Sequence, residues 1–89
     1  MGIKKSPALS DKNQGIKDRL NKVFQDVFKD PTIQIREDMF SLELDGWDSF
    51  GHIMLMTAIE EEFKLDMDLV NTRHMTTVGE FLEYLYAHV

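Results

Sequence analysis

The chain has no cysteine. Disulfides, thiolate metal sites and cysteine nucleophiles are therefore excluded, and a reducing cytoplasm suits it. Long hydrophobic runs are missing as well. Nothing approaches the ~20 apolar residues of a membrane span, and the N-terminus lacks the apolar stretch of a signal peptide. Basic residues become scarce after position 29: residues 30 to 89 hold three Lys and Arg against thirteen acids, whereas residues 1 to 29 hold seven against three. Between Glu43 and Asp68 eight acids face one base, Lys64. Such a surface repels nucleic-acid phosphates and anionic membranes and steers basic protein partners. The expectation is a monomeric, cytoplasmic protein with no nucleic-acid partner and no stable membrane insertion.

What is present fits one domain. Eighty-nine residues bury roughly 60 to 70% of the unfolded surface, so the core is small. Residues 1 to 10 are polar, include Pro7, and read as a flexible tail. "MGIKKS" formally matches the myristoylation pattern at Gly2 and Ser6, a match frequent by chance, and a frayed tail is the reading kept. The domain spans residues 11 to 89.

Ser10 or Asp11 offers an N-cap. Ile16, Leu20, Val23, Phe24, Val27 and Phe28 then follow at the spacing of an amphipathic helix, which "KDP" should end, because the residue before Pro31 is driven out of the helical region. Residues 31 to 48 carry apolar residues without a period. "TIQI" resembles a strand but has no partner strand, so this is a long loop whose apolar side chains pack on helices. A second helix starts at Asp48 or Ser49 and runs to about Lys64. Leu55, Met56, Ile59 and Phe63 form its core face, while Phe50, Ile53 and Thr57 form a second face with no internal use. A one-to-two-turn helix is expected from about Leu69 to His74, capped by Asp68. Thr77 and Glu80 make a capping box for the last helix, whose stripe is Val78, Phe81, Leu82 and Leu85. The sum is an all-α four-helix bundle with three longer helices, one short helix and a long first loop.

Three chemistries compete at "GWDSFGHIML". A hydrolase built on Asp48, Ser49 and His52 would need an oriented base and an oxyanion hole, for which so small a bundle has little room. His52 is expected on the surface. A calcium loop fails in both registers: counted from Asp45, Trp47 and Met56 fall at ligand positions 3 and 12, and from Glu43, Trp47 and Met54 fall at positions 5 and 12. The third is a covalent group on Ser49, since a helix N-terminus favours an anion such as a phosphodiester. Against it stands the plain alternative that Asp48 caps the helix and Ser49 is a first-turn residue.

"GWDSFGHIMLMTAIEEEFKLDM" followed by "MTTVGEFLEYL" resembles the acyl carrier proteins over about residues 11 to 88. Their hallmark is an Asp-Ser-aliphatic motif opening the second helix. The resemblance implies an acyl-carrier-like bundle with 4'-phosphopantetheine, taken from coenzyme A by a phosphopantetheinyl transferase, on Ser49. Asp48 would help that transferase engage the serine. Phe50, Ile53 and Met67 would form an apolar patch at the mouth of the bundle. Glu60 and Glu61 would meet basic patches on acyl-loading and acyl-consuming enzymes. Leu55, Ile59, Phe63 and Phe81 would line the core into which some acyl chains fold. The chain would then be a non-catalytic carrier holding thioesters.

The departures are specific. Gly51 and Met54 stand where fatty-acid carriers usually have acids, Phe50 replaces the usual leucine, and Trp47 is bulky where a small residue is common. They suggest a specialised, free-standing carrier in a lipid, polyketide or related pathway. An aminoacyl or peptidyl carrier, or an acidic interaction module with no prosthetic group, are the alternatives.

Overall fold

The computed structural model describes residues 11–67, 72 and 75–89. Among them are three α-helices: α1 (Asp11–Val27), α2 (Ser49–Phe63) and α3 (Val78–His88), with a 3-10 turn at Ser41–Glu43 and no strand. The short helix expected between Leu69 and His74, with its cap Asp68, lies outside the described residues apart from Thr72, as does the tail 1 to 10. No described helix is long and apolar enough to cross a membrane.

The apolar stripes read from the sequence are the buried faces. Ile16, Leu20, Val23 and Phe24 of α1, Leu55, Met56, Ile59 and Phe63 of α2, and Val78, Phe81, Leu82 and Leu85 of α3 share one core. The helix α1 packs against both others. Its outer side is tied to α2 through Arg19, whose Nε donates to Glu62 over 2.8 Å while its guanidinium lies 4.4 Å from the Phe63 ring centroid.

The end of α1 differs from the sequence expectation. The helix stops at Val27, before Asp30, because Lys29 turns left-handed with φ 54° and lets the Asp30 N–H donate to the Gln25 carbonyl. The end of α2 repeats the device, with Lys64 at φ 56° and the Leu65 N–H donating to the Glu60 carbonyl. In each case a left-handed residue satisfies carbonyls that the last turn leaves open.

The long first loop is a packed element. Ile33, Ile35, Met39 and Trp47 are buried in the common core. Side chains of α1 hold its backbone: Asn21 Oδ1 accepts the Ile35 N–H at 2.8 Å, and Gln25 Nε2 donates to the Ile33 carbonyl at 2.9 Å. The loop in turn caps α3. Met39 and Glu37 carbonyls accept the Val78 and Gly79 N–H groups, both at 2.9 Å, and Phe40 forms an isolated antiparallel bridge with Thr77. The expected capping box completes this terminus, since the Glu80 N–H donates to Thr77 Oγ1 and the Glu80 carboxylate accepts the Thr77 N–H. Three first-turn donors of α3 thus have acceptors.

Candidate functional site

The first turn of α2 is built by Asp48. Its backbone is extended (φ −108°, ψ −163°) and its Oδ1 accepts the Gly51 N–H at 2.9 Å, which makes it the N-cap. Ser49 is therefore the first helical residue and has no capping duty. Its side chain is exposed, and among the described residues no group hydrogen-bonds its hydroxyl.

The surface around it is apolar. Phe50 is 72% exposed, Ile53 49% and Met54 39%, so large hydrophobic side chains cover the outer face of the same two turns. That is uncommon at a helix start with no internal partner to bury it. Between the end of α1 and the start of α2 lies an open cleft of about 290 Å³. Val27, Phe28 and Lys29 line one wall, Asp45 and Gly46 the floor, and Asp48, Phe50, Gly51 and Met54 the other wall.

Gly51 and Gly46 set how closely these walls approach. A β-carbon on Gly51 would overlap the Gly46 carbonyl oxygen, and Gly46 itself has φ +93°. Only glycine adopts that backbone without strain. Position 51 thus has no room for a carboxylate or any other side chain.

His52 is half-buried, not on the surface as expected. Trp47 Nε1 donates to its Nδ1 at 3.2 Å, its Nε2 lies 3.2 Å from the Thr72 carbonyl oxygen, and its ring is 5.9 Å from that of Phe81. The physical reason is Trp47, which is only 6% exposed and needs an acceptor for its buried N–H. Both ring nitrogens are thus engaged away from Ser49, and the serine–histidine pair weighed from the sequence is not formed. Trp47 also packs edge-on against Phe24 (5.3 Å between centroids) and beside Phe81 (5.9 Å), so its bulk fills the core beneath the site.

The remaining expected interface residues divide. Glu61 is exposed, on the outer side of α2. Glu60 is half-buried, and its carboxylate accepts the Met67 N–H at 2.8 Å, so it shapes the turn after the helix. Met67 itself is 3% exposed and belongs to the core, which corrects its expected place in a patch with Phe50 and Ile53. The bond from Glu60 to its backbone draws that residue inward. Met54 takes its place in the exposed patch.

Compared with family models, with curated proteins and with solved structures, the chain matches none of them.

Proposed function

We propose that the chain is an acyl carrier protein that holds acyl intermediates as thioesters on a 4'-phosphopantetheine arm at Ser49 and presents them to partner enzymes. The observation that carries this reading is the division of labour at the start of α2. Asp48 does the capping, and the neighbouring hydroxyl stands exposed, with no hydrogen-bond partner among the described residues, beside exposed Phe50 and Ile53. A phosphodiester there would sit at the positive end of a 15-residue helix, which favours a nearby anion by roughly 0.3 to 1 kcal/mol.

The carrier role asks no chemistry of the chain itself. The engagement of His52 by Trp47 and Thr72 means that this histidine does not serve Ser49 as a base, which fits a serine activated by a transferase. The arm would supply a terminal thiol, and tethering would supply high local concentration at the partner's active site. Exposed Glu61 and the apolar patch would meet a partner with basic and apolar surface. Specialised lipid or polyketide metabolism is the pathway class we favour, because the start of α2 is apolar where general fatty-acid carriers are acidic.

Intact-protein mass before and after incubation with coenzyme A and a broad-specificity phosphopantetheinyl transferase tests the reading. One added phosphopantetheine in the wild type, and none in Ser49→Ala, is the expected result. An unmodified, folded wild type would overturn it in favour of an acidic interaction module.

A further inference from the structure

We infer that Met54 is a redox modification site, at which a peroxide turns the apolar patch on the first turns of α2 into a polar one. Among the described methionines only Met54 is exposed, at 39%; Met39, Met56 and Met67 are 8%, 2% and 3% exposed, and Met75 is half-buried. Met54 and Met56 give the contrast within one helix. Two residues are more than half a helical turn, so one thioether faces solvent and the other the core.

The surroundings admit a small oxidant. Met54 lines the open cleft between the end of α1 and the start of α2, whose surface also carries the charged side chains of Lys29, Asp45 and Asp48. Those groups hold water there, and hydrogen peroxide travels with water. The thioether sulfur attacks one peroxide oxygen and the O–O bond breaks. The departing hydroxide takes the proton from the oxygen now on sulfur, leaving methionine sulfoxide and one water. Sulfur is oxidised and peroxide reduced by the same electron pair.

The product changes the surface and spares the fold. A sulfoxide is polar, and at position 54 its oxygen meets solvent. Phe50, Ile53 and Met54 lie three and four residues apart on one exposed face, so oxidation puts a strong acceptor inside their patch. At position 56 the same group would be forced into a packed core with Leu55 and Ile59. Oxidation at Met54 is therefore the change the fold tolerates, and sulfoxide reductases can reverse it.

Wild type and Met54→Leu would be treated with hydrogen peroxide, each methionine followed by peptide mass mapping, and retention measured on a phenyl hydrophobic-interaction column. Met54 should be oxidised at least about ten times faster than Met39, Met56 or Met67. The wild type should then elute earlier with its circular dichroism unchanged, and methionine sulfoxide reductases of both stereospecificities should restore its retention. Met54→Leu, which reports any effect of the other methionines, should keep its retention throughout. Oxidation of Met54 no faster than of Met56, or an equal shift in both proteins, or none in either, would overturn the inference. No readout involves Ser49 or coenzyme A, so this failure is distinct from a failure of the carrier reading.

Discussion

The Trp47 indole N–H and the His52 imidazole Nδ1 stand 3.2 Å apart as donor and acceptor, and this single contact fixes the state of the ring. An indole N–H can only donate, so Nδ1 accepts, the proton resides on Nε2, and Nε2 donates to the Thr72 carbonyl. His52 thereby joins the first loop, α2 and the segment at Thr72. His52→Ala leaves the buried indole N–H without its acceptor, while the Thr72 carbonyl keeps the Met75 N–H, and should destabilise the fold by about 1–3 kcal/mol. Urea unfolding followed by fluorescence measures this directly, since Trp47 is the only tryptophan. A loss under about 0.5 kcal/mol, the size of an ordinary surface change, would show that the bridge contributes nothing.

Helix propensity alone says that Gly51→Ala should stabilise α2 by about 1 kcal/mol. The overlap of a β-carbon with the Gly46 carbonyl reverses the sign. The expected loss is about 3 kcal/mol, as for other overpacked sites, with the α2 start shifted away from the loop. Thermal unfolding of the variant decides between the two.

Lys64 holds a left-handed backbone at φ 56° in the turn that ends α2. Lys64→Gly relieves that conformation, at some cost in unfolded-chain entropy, and should raise stability by about 0.5–1 kcal/mol. Its side chain is exposed, so no packing is lost. Chemical denaturation at neutral pH is the measurement.

Tyr86 has a buried hydroxyl oxygen with no hydrogen-bond partner among the described residues. Desolvation, and then the Glu37 carboxylate, push its phenol above the ordinary value of 10.0. A raised phenol contributes stability fully present below its unfolded value and lost as pH rises through its folded value, because the phenolate is accommodated better by the unfolded chain. Stability should therefore fall above about pH 10. Tyr86→Phe should remove that part of the decline and change stability at pH 7 by no more than about 1 kcal/mol. Melting curves of both proteins from pH 7 to 11 test the slope.

Ser49→Ala should leave stability within about 0.5 kcal/mol, because the side chain is exposed and Asp48 does the capping. A larger loss would return Ser49 to a structural role.

Wherever local periodicity or capping chemistry decides, the sequence was informative. The stripes Ile16–Leu20–Val23–Phe24 and Val78–Phe81–Leu82–Leu85 are the buried faces, and the Thr77–Glu80 box is present. Asp48 as cap and Phe50 with Ile53 as exposed apolar residues were also readable, since each follows from position within one helix. What escaped joins parts of the chain with no shared period. His52 meets Trp47 five residues earlier and Thr72 twenty later; Gly51 meets a loop carbonyl whose path no local rule gives. A lone methionine in "LDMDL" likewise carries no signal of burial, and Met67 is buried through the bond from its N–H to Glu60.

The bonds from Val78 to Met39 and from Gly79 to Glu37 have a consequence for how the chain tolerates being cut or lengthened. A surface connection of this length ordinarily accepts nicks and insertions. Here the stretch from Glu37 to Ser41 serves as an external cap for a helix nearly forty residues downstream. A protease cleaving there, or a tag inserted there, would open the first turn of α3 and loosen Val78 and Phe81 with it. Fusion partners and reporters therefore belong at the ends of the domain, and limited proteolysis should spare Glu37 to Ser41 until α3 itself has come undone.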